Sequence, residues 1–272
     1  MYFMEDSREA ERLAAKVAPE SWVTTDLPAA NLHRVRDVLD VGCGPGVIVR
    51  ALANRCPKAQ VTGLDISPER VARATWNNAD VSNVAICHAS AACMPFEDNR
   101  FDLVYCRLLL EYLPDRAEAV AEMARVCRPG GSVILQDLDG QLLWHFPCDE
   151  RMNGGLGRVL RRLSDTGFDP FVGRKLYSLA WRAGLRDLDV RIEPYHLIAG
   201  AIDERNYELW KLKLDIAFPF IVKALGSRDE AEQLAAAFLQ HLQREDTLTY
   251  SVVFTVSGRK EGGKRSNLRE FA

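Results

Sequence analysis

The sequence lacks an excess of charge of either sign. Its 35 lysine and arginine residues face 38 aspartate and glutamate residues, which leaves a net charge of -3. Proteins that bind nucleic acids need a basic surface to neutralise phosphates, so this balance argues against a nucleic-acid partner. No apolar run approaches the roughly 20 residues of a membrane-spanning helix, and no secretory signal pattern precedes residue 36. We therefore expect a cytoplasmic protein without a membrane partner.

Paired cysteine spacings are also missing. The chain has seven cysteines, an odd number, and no C-x-x-C motif. Disulfide frameworks and zinc sites usually show such pairs. Cys87, Cys106 and Cys127 lie inside apolar runs, which predicts reduced, buried thiols. No other metal-ligand spacing is present, so we expect no metal site.

Glycine, in contrast, is concentrated where one apolar stretch ends. Residues 38–46 read Val-Leu-Asp-Val-Gly-Cys-Gly-Pro-Gly, with the spacing D-x-G-x-G-x-G. Glycine lets the backbone turn sharply and lets a ligand approach it closely. The spacing differs from the G-x-G-x-x-G of dinucleotide folds, which disfavours a nicotinamide oxidoreductase. Because Asp40 stands at the strand end and the loop has no basic residue, the expected ligand is a nucleoside with an ammonium group.

A second acidic residue, Asp65, ends the apolar stretch that begins at Val61. It follows Gly46 by 19 residues, close to the distance of about 20 residues at which an acid binds ribose hydroxyls in doubly wound folds. A carboxylate can accept two hydroxyl donors at once. Ser67 and Pro68 are suited to the N-cap and first position of the next helix. Asp65 is therefore the predicted ribose ligand.

Predicted strands and helices alternate from residue 37 onward, which indicates a parallel sheet covered by helices on both faces. A ligand is then expected over the carboxyl ends of the strands. The predicted strands are residues 37–41, 60–65, 84–88, 101–106, 131–137, 186–193 and 247–258. The predicted helices are residues 47–55, 68–80, 116–126, 150–165, 172–183, 203–225 and 229–244, with Pro219 kinking or dividing the 203–225 helix.

This pattern divides the chain into three parts. Residues 1–36 are predicted as a helical leader, with a helix from Ser7 to Ala18. Residues 37–258 are predicted as one domain with helical insertions at about 140–171 and 203–245. Residues 259–272 are predicted as a flexible basic tail.

Several motifs occur in the order and spacing of a known family. They are the glycine loop, Asp65, Met94-Pro95-Phe96, Phe101-Asp102-Leu103-Val104, Leu110-Glu111-Tyr112-Leu113 and Arg125-Val126-Cys127-Arg128-Pro129-Gly130-Gly131. The chain thereby resembles the class I S-adenosylmethionine-dependent methyltransferases. The similarity is greatest to the small-molecule subgroup with ubiquinone- and menaquinone-pathway and natural-product tailoring enzymes. It is good from Asp37 to Asp139 and looser from Val172 to Tyr195. It implies an α/β, Rossmann-like fold with a seven-stranded, mostly parallel sheet and an antiparallel last strand.

The resemblance also implies the cofactor, S-adenosylmethionine, with S-adenosylhomocysteine as product. Asp40 would act on the methionine amino group, Asp65 on the ribose and Ile66 on the adenine face, although Ile66 could instead be ordinary core. The implied contacts of the loop and of the later strand ends are Gly42, Cys43, Gly44, Gly46, Ser90, Ala91, Cys106 and Arg107. Ser90 stands where relatives commonly have an aspartate that accepts from adenine. Arg107 could pair with the methionine carboxylate or an acidic substrate, or else serve as a structural partner of Glu111.

Candidate acceptor residues follow the later strands or lie on the inserted helix. They are Glu111, Tyr112, Asp137, Asp139, Trp144, His145, Tyr195, His196, Tyr207 and Trp210. His145, placed in the loop after strand 5, is the candidate base because an imidazole titrates near neutral pH. Its alternative is a packing histidine. Trp144, Phe146 and Trp210 would suit an aromatic or polyketide-like acceptor at a pocket mouth, unless they are core residues.

The predicted function is methyl transfer to an oxygen, nitrogen or carbon of a small molecule, with a secondary metabolite or a quinone-like compound as the expected acceptor. Alignment of the acceptor with the methyl group supplies much of the rate of such an in-line displacement. A base is needed only when the acceptor arrives protonated. The alternative is a protein that binds S-adenosylmethionine without methylating, as a cyclase or a regulatory subunit. Monomer and homodimer are both compatible with the sequence.

Overall fold

Seven strands form a single sheet in the computed structural model, which describes residues 8, 23–25 and 34–262. The order across the sheet is β3-β2-β1-β4-β5-β7-β6. The strands are β1 Asp37–Val41, β2 Gln60–Asp65, β3 Val84–His88, β4 Phe101–Arg107, β5 Cys127–Phe146, β6 Leu185–Ala199 and β7 Leu248–Lys260. The predicted helix from Ser7 to Ala18 and most of the predicted leader and tail lie outside the described residues.

The sheet is parallel except at β7. Strands β1 to β5 pair in parallel where they are neighbours, whereas β7 runs antiparallel to both β5 and β6. The predicted α/β fold, with seven strands and an antiparallel last strand, is therefore confirmed. The carboxyl ends of β1, β2 and β4 meet at one edge of this sheet.

Helices cover both faces of the sheet. They are α1 Val47–Arg55, α2 Pro68–Asn77, α3 Arg116–Val126, α4 Glu150–Ser164, α5 Leu176–Arg182, α6 Glu204–Leu225 and α7 Arg228–Leu242. One buried apolar cluster joins the sheet to α1 and α2, and another joins it to α3 and α5. Ser67 caps α2 as predicted, since its side chain accepts a hydrogen bond from the Arg70 amide.

A third layer consists of α4, α6 and α7, which pack on one another through a separate apolar cluster. Helices α6 and α7 lie between β6 and β7, as the predicted insertion at about 203–245 requires. Helix α6 runs continuously from Glu204 to Leu225 with Pro219 inside it, so the proline does not divide it. Among the described residues, no helix has the length and apolarity needed to cross a membrane.

The later strands are much longer than the sequence pattern indicated. Strand β5 continues to Phe146, so Trp144 and His145 pair with Tyr250 and Thr249 of β7. Their predicted place in a loop after strand 5 is wrong, and the predicted insertion at about 140–171 begins as strand. The reason is a register shift between Asp139 and Trp144, because a bulge breaks the alternation by which a strand is recognised.

Strand β6 shows the same departure. It extends to Ala199, so Tyr195 and His196 lie on the strand. The prediction that they follow the strand is therefore wrong. A register shift between Tyr195 and Ile198 interrupts the pairing there. Strand β7 likewise continues to Lys260, two residues into the predicted tail.

All seven cysteines are free thiols. Cys43, Cys56, Cys106 and Cys127 are buried, whereas Cys93 and Cys148 are exposed. The prediction of buried thiols is therefore confirmed for Cys106 and Cys127, whereas Cys87 is only partly buried.

Candidate functional site

A cavity of about 670 Å³ begins at the carboxyl ends of β1, β2 and β4 and continues beneath α4, α6 and α7. We call the part lined by residues of these three helices the helical vault. The glycine loop, Asp65 and Ser90 line the other part. One continuous space therefore connects the predicted cofactor residues with the inserted helices.

The glycine loop needs glycine for two different reasons. Gly42, Gly44 and Gly46 all have positive φ, at 76°, 53° and 79°, where other residues are strained. A Cβ at Gly42 would lie 2.8 Å from Leu109 Cδ2, and one at Gly46 would lie 2.5 Å from Asn78 Nδ2. A Cβ at Gly44 would meet nothing within 4 Å. Packing therefore demands the outer two glycines, while Gly44 leaves open space at the cavity wall.

Asp65 holds this loop in place. Its Oδ2 accepts a hydrogen bond from the Gly44 amide at 2.9 Å, and its Oδ1 accepts one from the Ser67 amide at 2.9 Å. The Gly42 and Cys43 amides donate to the carbonyl of Leu64. Each carboxylate oxygen retains further acceptor capacity. Asp65 can thus fix the loop and still accept two hydroxyl groups from a ligand in the cavity.

Asp40 is buried and lines the same part of the cavity. Its Oδ2 has no hydrogen-bond partner among the described residues. Burial and, to a smaller extent, the Asp65 charge raise the pKa of Asp40 to about 7, against the opposing positive charge of Arg107. A ligand ammonium group would supply the missing donor and favour the ionised carboxylate. The site therefore fits the amino end of S-adenosylmethionine.

Ile66 and Ser90, the predicted adenine contacts, both line the cavity. Ile66 is 67% exposed and lines the cavity, so it is not a core residue. The Ser90 hydroxyl accepts a hydrogen bond from the Ala92 amide at 3.2 Å. It can still donate its proton to a ring nitrogen of adenine. Ala91, also predicted as a contact, lines the cavity beside it.

The end of β4 carries Arg107 toward the cavity and Cys106 away from it. Arg107 lines the cavity, and its Nε donates to Gln136 Oε1 at 2.6 Å. Gln136 in turn donates from Nε2 to Thr255 Oγ1 at 2.8 Å, which orients both side chains. Cys106 is buried and absent from the cavity lining, and burial holds its thiol pKa well above the ordinary value. Arg107 is therefore better placed than Cys106 to meet a ligand.

The predicted acceptor residues separate into two groups. Those that line the cavity are Glu111, Tyr112, Tyr195, His196 and Trp210. Those outside the lining are Asp137, Asp139, Trp144, His145 and Tyr207.

Asp137 has a structural role beneath the cavity. It is fully buried, and its Oδ2 and Oδ1 accept hydrogen bonds from the amides of Glu111 and Leu138. Burial raises its pKa to about 7, against the effect of these amide bonds. Asp137 thereby fixes the 3-10 turn Leu110–Tyr112, from which Glu111 and Tyr112 reach the cavity. Asp139 is also engaged, in an ion pair with Arg174.

His145 lies behind the cavity wall. Its Nδ1 is 3.0 Å from Thr249 Oγ1, and its ring contacts the edges of Phe238 and His241 at centroid distances of 5.7 and 5.0 Å. Trp144 stacks on Tyr250. This placement matches the packing alternative for His145 and does not bring it to the reacting end of the cavity.

Comparison with known proteins agrees with this geometry. Residues 39–135 match the family model described as a methyltransferase domain. Residues 39–135 therefore carry a domain of the class I S-adenosylmethionine-dependent methyltransferases. The resemblance found in the sequence is thereby confirmed.

Similar proteins include the demethylmenaquinone methyltransferase of Staphylococcus epidermidis, 33% identical over 136 residues, which are 48% of this chain and 56% of that protein. The chain spans about half the length of the relatives that it matches in sequence.

Solved structures show the same fold. A putative sarcosine dimethylglycine methyltransferase from Galdieria sulphuraria is 18% identical, with a TM-score of 0.57 over 89% of this chain and 85% of that one. The [4+2]-cyclase SpnF is 18% identical, with a TM-score of 0.56 over 89% and 80% of the two chains.

Sequence reasoning missed most of the helical vault. Its lining residues are Leu156, Val159, Leu160, Leu163, Trp210, Lys213, Leu214, Ala217, Phe220, Ile221, Leu234, Ala235 and Phe238. Of these, only Trp210 was among the predicted site residues. Apolar residues at helical spacing indicate a buried face, but they do not distinguish a face that packs on a core from one that borders a cavity.

Proposed function

We propose that this protein transfers a methyl group from S-adenosylmethionine to a small-molecule acceptor held in the helical vault. The observation that carries the proposal is the buried Asp40 Oδ2, which lacks a partner among the described residues and lies beside a glycine loop pinned by Asp65. The names of the methyltransferases similar in sequence and structure support it. Because the acceptor has to enter an apolar vault, a quinone-like or secondary-metabolite acceptor suits the site.

Each part of the cofactor has a counterpart in this chain. S-adenosylmethionine, when bound, supplies a methyl group already activated on a sulfonium. Asp40 accepts hydrogen bonds from the ammonium group, and Asp65 accepts them from the ribose hydroxyls. Arg107 would hold the carboxylate of the methionine part, and Ser90 and Ile66 would contact the adenine.

Transfer then depends on how the cavity positions the acceptor. Its walls exclude water and hold the acceptor lone pair in line with the methyl group, and such orientation accounts for much of the rate. If the acceptor arrives protonated, Glu111 lines the cavity on its 3-10 turn and can take the proton. His145 is separated from the acceptor by Phe238, which lines the cavity.

Two measurements test the proposal. Calorimetry should detect S-adenosylhomocysteine binding, and Asp65→Asn should weaken it. Incubation with labelled S-adenosylmethionine and a panel of quinols, phenols and amines should then yield a labelled product. Absence of cofactor binding would refute the proposal. Tight binding without transfer to the panel or to an extract of the host cells would favour the cyclase or regulatory alternative.

A further inference from the structure

The helical vault is apolar apart from one charged side chain. Every lining residue from α4, α6 and α7 is a hydrocarbon side chain except Trp210 and Lys213. Lys213 is half-buried. An ammonium group in such a wall is stabilised by a nearby anion or by an aromatic face. The structure provides the aromatic face, because Lys213 Nζ lies 4.8 Å from the centroid of the Trp210 ring.

Three further polar side chains gather around Trp210 and reach the same cavity. The His196 ring lies 5.1 Å from the Trp210 ring and 4.1 Å from the Tyr195 ring. We call Tyr195, His196, Trp210 and Lys213 the Lys213 cluster. All four carry a hydrogen-bond donor, as ammonium, phenol, imidazole or indole.

The backbone of β6 is distorted where it contributes to this cluster. Successive residues of a regular strand point to opposite faces, yet Tyr195 and His196 both line the cavity. The register shift between Tyr195 and Ile198 and the positive φ of His196, 51°, allow this. Such strain in a residue other than glycine is often found at ligand sites.

The Lys213 cluster is far from the methyl donor. Arg107 ends β4, whereas His196 lies on β6, and β5 and β7 separate these two strands. Three strand spacings amount to about 14 Å across the sheet. Charged side chains are also distributed unevenly, since Asp40, Asp65, Arg70, Arg107, Glu111 and Asp115 line the rest of the cavity, whereas Lys213 is the one charged residue that the three helices contribute to the described lining.

We propose that the acceptor is an elongated apolar molecule with a carboxylate group at the end remote from the atom that is methylated, and that the Lys213 cluster binds this carboxylate. This inference rests on the proposed function. Lys213 supplies the positive charge, and the neighbouring N–H and O–H groups supply further donors. With its carboxylate held at the Lys213 cluster, the acceptor presents its other end to the methyl group.

The test uses the full chain saturated with S-adenosylhomocysteine and two simple probes, dodecanoate and 1-dodecanol, below their aggregation concentrations. Calorimetry should show that dodecanoate binds at least about tenfold tighter than the alcohol, as expected for a charge-assisted contact. Lys213→Met should remove this preference while alcohol binding persists. Lys211→Met is the matched control, because Lys211 is exposed on the same helix and does not line the cavity, and it should keep the preference.

Several binding results would overturn the inference. They are equal binding of the two probes, no binding of either probe, and a carboxylate preference that survives Lys213→Met. An equal loss of both probes in Lys213→Met would show that the lysine only supports packing, which also overturns it. Binding of S-adenosylhomocysteine is measured first in the same experiment, so its failure counts against the proposed function and not against the acceptor chemistry.

Discussion

Replacing Asp65 by asparagine should separate the ribose contact from the shape of the loop. The side chain keeps its size, but one carboxylate oxygen becomes an NH₂ group that can donate and cannot accept. In the wild type both oxygens accept from backbone amides, those of Gly44 and Ser67. One of these amides therefore faces a donor in the variant, and the ribose loses a charged acceptor.

The expected loss of affinity follows from the hydrogen bonds involved. A hydrogen bond to a charged group contributes about 1.5–3 kcal/mol, so S-adenosylhomocysteine should bind about 10- to 150-fold more weakly to Asp65→Asn. The unliganded variant should also lose about 1–3 kcal/mol of unfolding free energy, because one amide is left unsatisfied. Calorimetry measures the first quantity and urea unfolding the second.

A second ligand without ribose hydroxyls tests whether Asp65 contacts the ribose directly. 5′-Methylthioadenosine should bind Asp65→Asn more weakly than wild type, whereas its 2′,3′-dideoxy analogue should bind both proteins alike. Asp189→Asn, an exposed substitution on β6, should change neither affinity. Equal losses for the two ligands, or unchanged affinity for S-adenosylhomocysteine, would refute a direct contact between Asp65 and the ribose.

Three other predictions concern Asp40, the glycine loop and His145. Because the Asp40 pKa is about 7 and its ionised form binds an ammonium group, S-adenosylhomocysteine affinity should rise between about pH 6 and pH 8, and calorimetry of Asp40→Asn should show a flat profile. A carboxyl group with a raised pKa stabilises the folded state at low pH, and this stabilisation is lost as pH rises toward 7. The free energy of unfolding of Asp40→Asn, relative to that of wild type, should therefore be higher at high pH than at low pH, as urea unfolding measures. Gly44→Ala should lower the free energy of unfolding by about 1–2 kcal/mol because residue 44 has a positive φ. Gly46→Ala should lower it more, because the new Cβ also meets a neighbouring side chain. Similar free energies of unfolding for the two variants would contradict this. His145→Gln should lower the free energy of unfolding by about 1–3 kcal/mol and leave cofactor affinity and the rate of methyl transfer unchanged. A large loss of rate with normal cofactor affinity would instead indicate that His145 takes part in catalysis.

The parallel half of the fold could be predicted because each of its signals is local. Strand β1 is a buried apolar run that ends in glycines, and α2 begins at a serine that caps it and a proline at its first position. Asp65 and the glycine loop are close because parallel strands end at one edge of a sheet. Such short, regular elements can be recognised directly from the sequence pattern.

The strands and helices that border the acceptor part of the cavity were harder to predict from the sequence. Trp144 and Tyr195 lie on strands whose alternation is broken by bulges, so the pattern ends before the strand does. From the sequence alone, Lys213 is one charged residue on an amphipathic helix. Only the fold shows which side of α6 faces the cavity. Ser90 departs from the family pattern, and only the structure shows that its hydroxyl already accepts from Ala92.

The position of α6 and α7 between β6 and β7 has a consequence for how acceptor preference can change. A single segment, residues 200–247, carries most of the vault, and its two junctions are adjacent because the Gly200 amide donates to the Thr247 carbonyl at 2.8 Å. The glycine loop, Asp40, Asp65 and Arg107 all lie outside this segment. Exchange of one such cassette between related chains could redirect the methyl group to a different molecule while the methyl donor and its binding residues stay the same.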